Sequence, residues 1–353
     1  MYNEERVFVN CEAQKTILED YMQTFIDGGI AFIIGLQGLG DWLTIPMQFF
    51  SYLGTEDFFF LVLPLIYWSI DSALGLRVGF ILVTSSMVNY MGKLLFAGPR
   101  PYWVSSHVRG LWPETTFGIP SGHAQHAMSV WGIIAAYRKQ KWVWTAAIFL
   151  IFFIGFSRLY LGAHFPHDVL LGWLLGGVLV WAFSRFWDPI AAWLGKQTFA
   201  QQTVVAFIVS MVFVVLGMLV VSLRNGYQVP ALWIDNALLA GTDVPAPVDP
   251  NGVFTSAGTV FGMGFGLAWI MSMGGYQATG PVWMRALRYV IGLVGILVLW
   301  MGLGEVFPRG DGMLVYSLRF IRYTLVGWWV TGGAPWVFIR FKIVEDNRRK
   351  SSI

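Results

Sequence analysis

Long apolar stretches recur along the chain, each close to the roughly 20 residues that an α-helix needs to cross the hydrocarbon of a bilayer. Nine windows of this kind are expected to form membrane helices: 56–71, 78–97, 122–137, 142–161, 165–184, 203–223, 254–273, 286–306 and 319–340. The stretch 30–53 is also apolar, but Gln37, Asp41, Gln48 and several glycines interrupt it. It reads as an interfacial or re-entrant segment, with a tenth span as the rival. The fold class predicted is all-α, a polytopic membrane helical bundle of about nine transmembrane helices.

Basic residues between the windows set an orientation, because short cytoplasmic loops collect Lys and Arg. Alternate loops carry Arg77; Arg138, Lys139 and Lys141; Arg185 and Lys196; Arg285 and Arg288; then a tail with Arg340, Lys342, Arg348, Arg349 and Lys350. The opposite loops include 224–253, which holds Asp235, Asp243 and Asp249 but only Arg224 at its edge. This pattern puts the N-terminus outside and the C-terminus in the cytoplasm. The expected organisation is an N-terminal segment over 1–55, a five-span core over 56–186, a four-span extension over 187–341 and a basic cytoplasmic tail over 342–353.

Composition agrees with a membrane protein and removes other classes. Of 353 residues, 56% are hydrophobic and 12% charged, whereas an average soluble domain is about 25% charged. The aromatic residues (28 Phe, 18 Trp and 13 Tyr) suit wide membrane interfaces. Lys and Arg number 23 against 20 Asp and Glu, a net charge of +3 that is too even to suggest nucleic acid as a partner. Cys11, the single cysteine, excludes an intrachain disulfide and a zinc site built on cysteines. The chain starts Met1-Tyr-Asn-Glu-Glu-Arg without an immediate apolar run, so the first span is expected to do the targeting. The cysteine-poor composition and short loops favour a bacterial inner membrane over endoplasmic reticulum.

Charge at a membrane edge is costly, so clustered charge points to function. Three clusters fall on the expected outer side: Lys93 with Arg100-Pro101, Pro120-Ser121-Gly122-His123, and Ser157-Arg158 with His164 and Asp168. Lys93, Arg100 and Arg158 are three cations without an obvious local carboxylate, which suits an anion. Ser121 and Gly122 begin a helix, where free N–H groups and the helix dipole favour phosphate. Asp168 follows His164 by four residues and shares its helix face. A carboxylate on an imidazole N–H fixes the tautomer and raises basicity, which suits a nucleophile toward phosphorus. His123 is placed to protonate a leaving oxygen.

These clusters resemble the motifs K-x6-R-P, P-S-G-H and S-R-x5-H-x3-D of the type 2 phosphatidic acid phosphatase superfamily, in order and at full spacing. The resemblance implies catalytic roles for His164 (phosphohistidine nucleophile), His123 (general acid) and Asp168 (support of His164). It also implies phosphate binding by Lys93, Arg100, Ser121, Gly122 and Arg158, in a mechanism that needs no metal or other cofactor. Arg100-Pro-Tyr-Trp, Ser157-Arg-Leu-Tyr-Leu and Ala163-His-Phe-Pro-His also resemble glucose-6-phosphatases, as do the nine spans. Asp168 departs from the glutamine of that family and keeps the lipid-phosphatase pattern. The expected partners are membrane lipids and a phosphorylated substrate, a lipid or isoprenoid phosphate first and a soluble sugar phosphate second. Vanadium haloperoxidases share the anion pocket, but they are soluble.

Other polar residues have simpler readings. His107, His126 and His167 are expected to pack, hydrogen-bond or face water, with His167, next to Asp168, the one placed to support the site, and Glu114 to be solvated. Tyr102, Trp103 and Trp112 read as interfacial anchors, with gating of substrate entry as the alternative. Arg319 and Arg322, three apart on one helix face, read as contacts to lipid head groups or to Glu305.

Overall fold

The computed structural model describes residues 24–344, and the acidic N-terminus with Cys11 and the tail beyond Val344 lie outside the described residues. Each of the nine apolar windows coincides with helix. Among the described residues, six helices are long and apolar enough to cross a membrane, or up to seven if a bent pair counts as one span. The six are α4 (Ser72–Phe96), α7 (Lys141–Tyr160), α8 (Pro166–Leu194), α9 (Phe199–Ser222), α11 (Asn251–Ser272) and α12 (Val282–Leu297, continuing through a π-turn into α13, Leu303–Val306). The bent pair is α1 (Thr24–Gln37) and α2 (Thr44–Tyr52), at 90° across a short break.

The three remaining windows fall short of that standard for physical reasons. Helix α3 (Glu56–Leu65) and its π-turn Ile66–Ile70 make a short rod opened by two acidic residues. Helix α6 (Gly122–Arg138) is 17 residues long and carries Gln125, His126 and Ser129, all buried. It runs through the bundle interior, where Gln125 donates to Ser85 O (3.0 Å) and accepts from Asn89 Nδ2 (3.0 Å), so its polar groups meet protein and not lipid. Helix α14 (Met313–Trp328), extended by a π-turn into α15 (Ala334–Arg340), carries Arg319 and Arg322.

Outward faces are apolar: Leu170, Leu174 and Trp181 on α8, and Phe207, Val215 and Leu219 on α9, are exposed. That is the surface of an integral multi-pass membrane protein. In the C-terminal half, α11 and α14 run parallel with their backbones nearly touching. A Cβ added at Gly258 would lie 2.4 Å from Phe320 O, and one at Gly262 only 2.0 Å from Thr324 O. Small residues four apart let two membrane helices approach this closely.

The two halves are tied together at one end. Tyr90 donates to Asp249 O (2.6 Å), and Arg224 donates to Leu94 O (2.6 Å) and Leu95 O (2.7 Å). The long 224–250 connection, with helix α10 (Ala231–Leu239), packs on the short helix α5 (Pro101–Val104). Asn236 donates to Trp103 O (3.0 Å), and Ala246 N donates to Thr115 O (3.0 Å). Tyr102 and Trp103 are therefore completely buried core residues and not interfacial anchors.

Candidate active site

All three sequence clusters meet at this tied end. Lys93 lies in the last turn of α4, which stops at Ala97 in the left-handed conformation. Arg100 precedes α5 and is fully buried. Ser121 caps α6, with its side chain accepting from Ala124 N. Its own N–H donates to Asp168 O (3.0 Å), locking the start of α6 onto the start of α8. Gly122 begins α6 against Asn89, whose Oδ1 would be 3.1 Å from an added Cβ.

Arg158 and His164 come together through the turn between α7 and α8. Gly162 takes a positive φ of 69°, and a Cβ there would meet Arg109 O at 2.4 Å, so the reversal requires glycine. His164 N then donates back to Arg158 O (3.3 Å). Both side chains are fully buried.

The imidazole of His164 is held at both nitrogens. Nδ1 lies 3.3 Å from Asp168 Oδ2, and Nε2 lies 3.3 Å from Arg100 Nη1. A guanidinium can only donate, so Nε2 is the acceptor and Nδ1 carries the proton, shared with Asp168. Burial, with Arg100 adding to it, pushes the His164 imidazole well below the usual histidine range, which keeps it neutral. Asp168 also accepts from Phe165 N (2.9 Å), and His167 Nε2 lies 3.2 Å from its Oδ1.

Glu114 stands at the centre of the cations, contrary to the expectation that it is solvated. Its Oε2 accepts from Arg100 Nη2 at 2.5 Å and lies 3.9 Å from Lys93 Nζ. Its Oε1 pairs with Arg158 Nη2 and lies 3.7 Å from His123 Nδ1. Burial alone would push this carboxyl up; Arg100, Arg158 and Lys93 together hold it well below the usual carboxylate range. Lys93, Arg100 and Arg158 thus do have a carboxylate partner, brought in by the 105–121 loop. Thr116 on the same loop accepts from Lys93 Nζ (2.8 Å) and, through its carbonyl, from Arg100 Nε (2.7 Å).

The 30–53 stretch contributes as well. Ser51 Oγ accepts from Arg158 Nη1 (2.5 Å), and Gln37 Nε2 donates to Tyr160 O (3.0 Å) and Arg109 O (2.9 Å). The sequence offered no signal for Glu114, Thr116 or Ser51 beyond their position in polar interruptions. His123 packs edge-on to Trp112, with centroids 6.1 Å apart, and its Nε2 is buried without a hydrogen-bond partner. Trp112 thereby lines the site.

The arrangement is an anion cradle, with a neutral imidazole nitrogen on one side and a second imidazole on the other. Residues 74–192 match the PAP2 superfamily, and residues 254–348 match the PAP2 superfamily phosphatase transmembrane extension. Glucose-6-phosphatase 3 of Bos taurus is 26% identical over 366 aligned positions, covering 94% of this chain and 100% of the relative. Phosphatidylglycerophosphatase B of Bacillus subtilis is 29% identical over 165, covering 42% of this chain and 77% of the relative. A solved structure, the first transmembrane PAP2 type phosphatidylglycerolphosphate phosphatase from Bacillus subtilis, aligns at a TM-score of 0.41 and 24% identity, covering 54% of this chain and 97% of that one. With both matched and in order, the chain carries a PAP2 superfamily domain followed by the PAP2 superfamily phosphatase transmembrane extension, and it is homologous to the glucose-6-phosphatases.

Proposed function

We propose that the protein hydrolyses a phosphate monoester through a phosphohistidine formed on His164, without a metal ion. The observation that carries this is the held imidazole: Nδ1 against Asp168, and Nε2 beside Arg100, aimed at the cations. In the first step, Nε2 attacks phosphorus and the P–O bond to the leaving group breaks. His123 gives its proton to the departing oxygen. In the second step, water attacks the phosphohistidine with His123 as base, and the P–N bond breaks. Lys93, Arg100 and Arg158 neutralise charge on the equatorial oxygens, the task that metal ions perform in other phosphoryl transferases. The N-terminus of α6, with Ser121 and Gly122, adds helix N–H groups.

Glu114 is the resting counter-ion of this cradle. An incoming phosphate takes over Arg100, Arg158 and Lys93, and Glu114, the more exposed partner at 19%, swings aside. Its return competes with product phosphate and assists release.

The substrate class we favour is a lipid or isoprenoid phosphate, possession of a membrane-edge site and of Asp168 beside His164 being the support. Similarity to glucose-6-phosphatase 3 over nearly the whole chain favours a soluble sugar phosphate as the second reading. We place the site on the periplasmic or lumenal face with the C-terminus cytoplasmic, on the distribution of basic loops, and favour a bacterial inner membrane. Phosphate release by the purified protein in EDTA, from phosphatidic acid, phosphatidylglycerophosphate, undecaprenyl diphosphate and glucose-6-phosphate, tests this. EDTA-resistant release that disappears in His164→Ala is expected. Release that requires added metal, or that survives in His164→Ala, overturns the mechanism, and release from glucose-6-phosphate alone selects the second reading.

A further inference from the structure

A second group of arginines lies in the C-terminal extension, at the same end of the bundle as the cradle. The shared end follows from the parallel run of α11 and α14 and from the Tyr90–Asp249 bond, which joins the start of α11 to the turn of α4 that carries Lys93. Here the π-turn Val298–Gly302, α13, the 307–312 turn and the first turns of α14 line an open cavity of about 500 Å³. Arg309, Arg319 and Arg322 line it, with Glu305, Trp300 and Gly304.

Charge in this cavity is unbalanced. Glu305 is spent on Arg309 (3.3 Å), both of them largely exposed at the rim. Arg319 donates from Nε to Thr255 Oγ1 (2.8 Å) and lies over the Tyr323 ring at 5.4 Å. Arg322 is held over Trp300 at 5.9 Å and Tyr323 at 5.5 Å. Its Nε is buried without a hydrogen-bond partner, and among the described residues its guanidinium has no ion pair. Gly304 makes the room: an added Cβ would stand 2.8 Å from Arg322 Nη2. Beside the cavity, Val306, Met313 and Leu314 are strongly exposed apolar side chains.

A half-buried guanidinium between two rings keeps its planar fork of donors free, and that fork matches the paired oxygens of a phosphate. Unpaired cations at membrane depth are costly unless an anion joins them. Trp300 and Tyr323 are of the residue types that favour the head-group region, and the neighbouring aliphatic side chains suit acyl chains. We infer that this cavity binds the phosphate of an anionic lipid head group, in the leaflet on the active-site side. The ligand is a diester that the His164 site has no terminal phosphoryl group to take from, so the two sites do not compete for it.

The test uses the full-length protein in detergent. Peptide-resolved mass spectrometry follows phenylglyoxal modification of Arg322 and Arg319 with phosphatidylglycerol added, with phosphatidylcholine added, and with inorganic phosphate added. Phosphate-release turnover of the same preparations reports the cradle separately, so failure of one site is distinguishable from failure of the other. Protection of Arg322 by phosphatidylglycerol and not by phosphatidylcholine is expected. In native mass spectrometry, Arg322→Gln should lose phosphatidylglycerol by about fivefold, the factor for one arginine at a lipid surface, while Arg322→Lys should retain part of it. Protection by inorganic phosphate but not by phosphatidylglycerol overturns the lipid assignment and makes free phosphate the ligand. Equal modification in all three conditions overturns the site, and this arm on the unmutated protein does not depend on how any variant folds.

Discussion

In the cradle, Arg100 and Arg158 are completely buried and both reach Glu114; in the cavity of the extension, Arg319 and Arg322 are half-buried, and the lining carboxylate, Glu305, is turned to Arg309. Both regions gather cations at one end of the same bundle. The cradle carries its own counter-ion on a loop and can fold empty, because leaving a fully buried guanidinium unpaired costs several kcal/mol. The arginines of the cavity rest on aromatic faces instead of a carboxylate. The chemistry follows the same division. Two imidazoles flank the cradle, whereas no histidine lines the cavity, so the groups that phosphoryl transfer needs are present in the first and missing from the second.

Experiments that press on this difference can be ordered by size. Replacing the proposed nucleophile should have the largest effect: His164→Ala is expected to lower turnover by ~10⁴-fold or more, while orthovanadate still binds, as read by its stabilisation of the fold against heat. Residual turnover within tenfold of the wild type would remove His164 from the reaction. His123→Ala should cost about 10²–10⁴-fold in kcat, with the smallest loss on substrates whose leaving group needs no proton, such as an aryl phosphate. An equal loss on both would leave His123 without its acid role.

Glu114→Gln makes the cradle resemble the cavity. Arg100 and Arg158 lose their counter-charge, so thermal stability should fall by about 3–5 kcal/mol, and inorganic phosphate should restore most of it. Phosphate should also inhibit this variant on the order of tenfold more strongly, equivalent to about 1.4 kcal/mol. Weaker phosphate inhibition would mean that Glu114 shapes the cradle and does not compete with its ligand. The reverse change, Val315→Glu, gives the cavity a carboxylate and should reduce phosphatidylglycerol retention about fivefold, measured by native mass spectrometry.

The smallest effect is in pH. A histidine held below its ordinary value of about 6.5 keeps its lone pair as pH falls and loses it only on passing through the lowered value. The acid limb of kcat/KM assigned to His164 should therefore lie below 6.5, and a limb above 6.5 that is lost with His164 would contradict the neutral imidazole. The depressed Glu114 carboxyl stabilises the fold above about 4.3 and ceases to do so as pH drops through its lower native value.

Much of this molecule is legible in the sequence, because bilayer thickness imposes a single length on every crossing helix. The nine apolar windows all became helix, and the eight motif residues from Lys93 to Asp168 converge on one site, since their spacing places each at a helix end or a tight turn. The length standard failed for α6, whose buried Gln125, His126 and Ser129 need protein around them, and for α14, whose arginines serve a cavity.

The sequence by itself determined the membrane class, the order of the helices and the identity of the cations and imidazoles. These are local properties, set by apolar run length and by motif spacing. Tertiary structure alone decided which carboxylate meets those cations. Glu114 lies 14 residues from Arg100 but 44 from Arg158 along the chain, and Ser51 reaches Arg158 across 107. The unpaired state of Arg322 was decided in the same way, by the approach of α11 to α14 and the opening beside Gly304. An ion pair depends on distances of a few ångströms, and a loop residue acquires those only after the helices that carry its partners have packed.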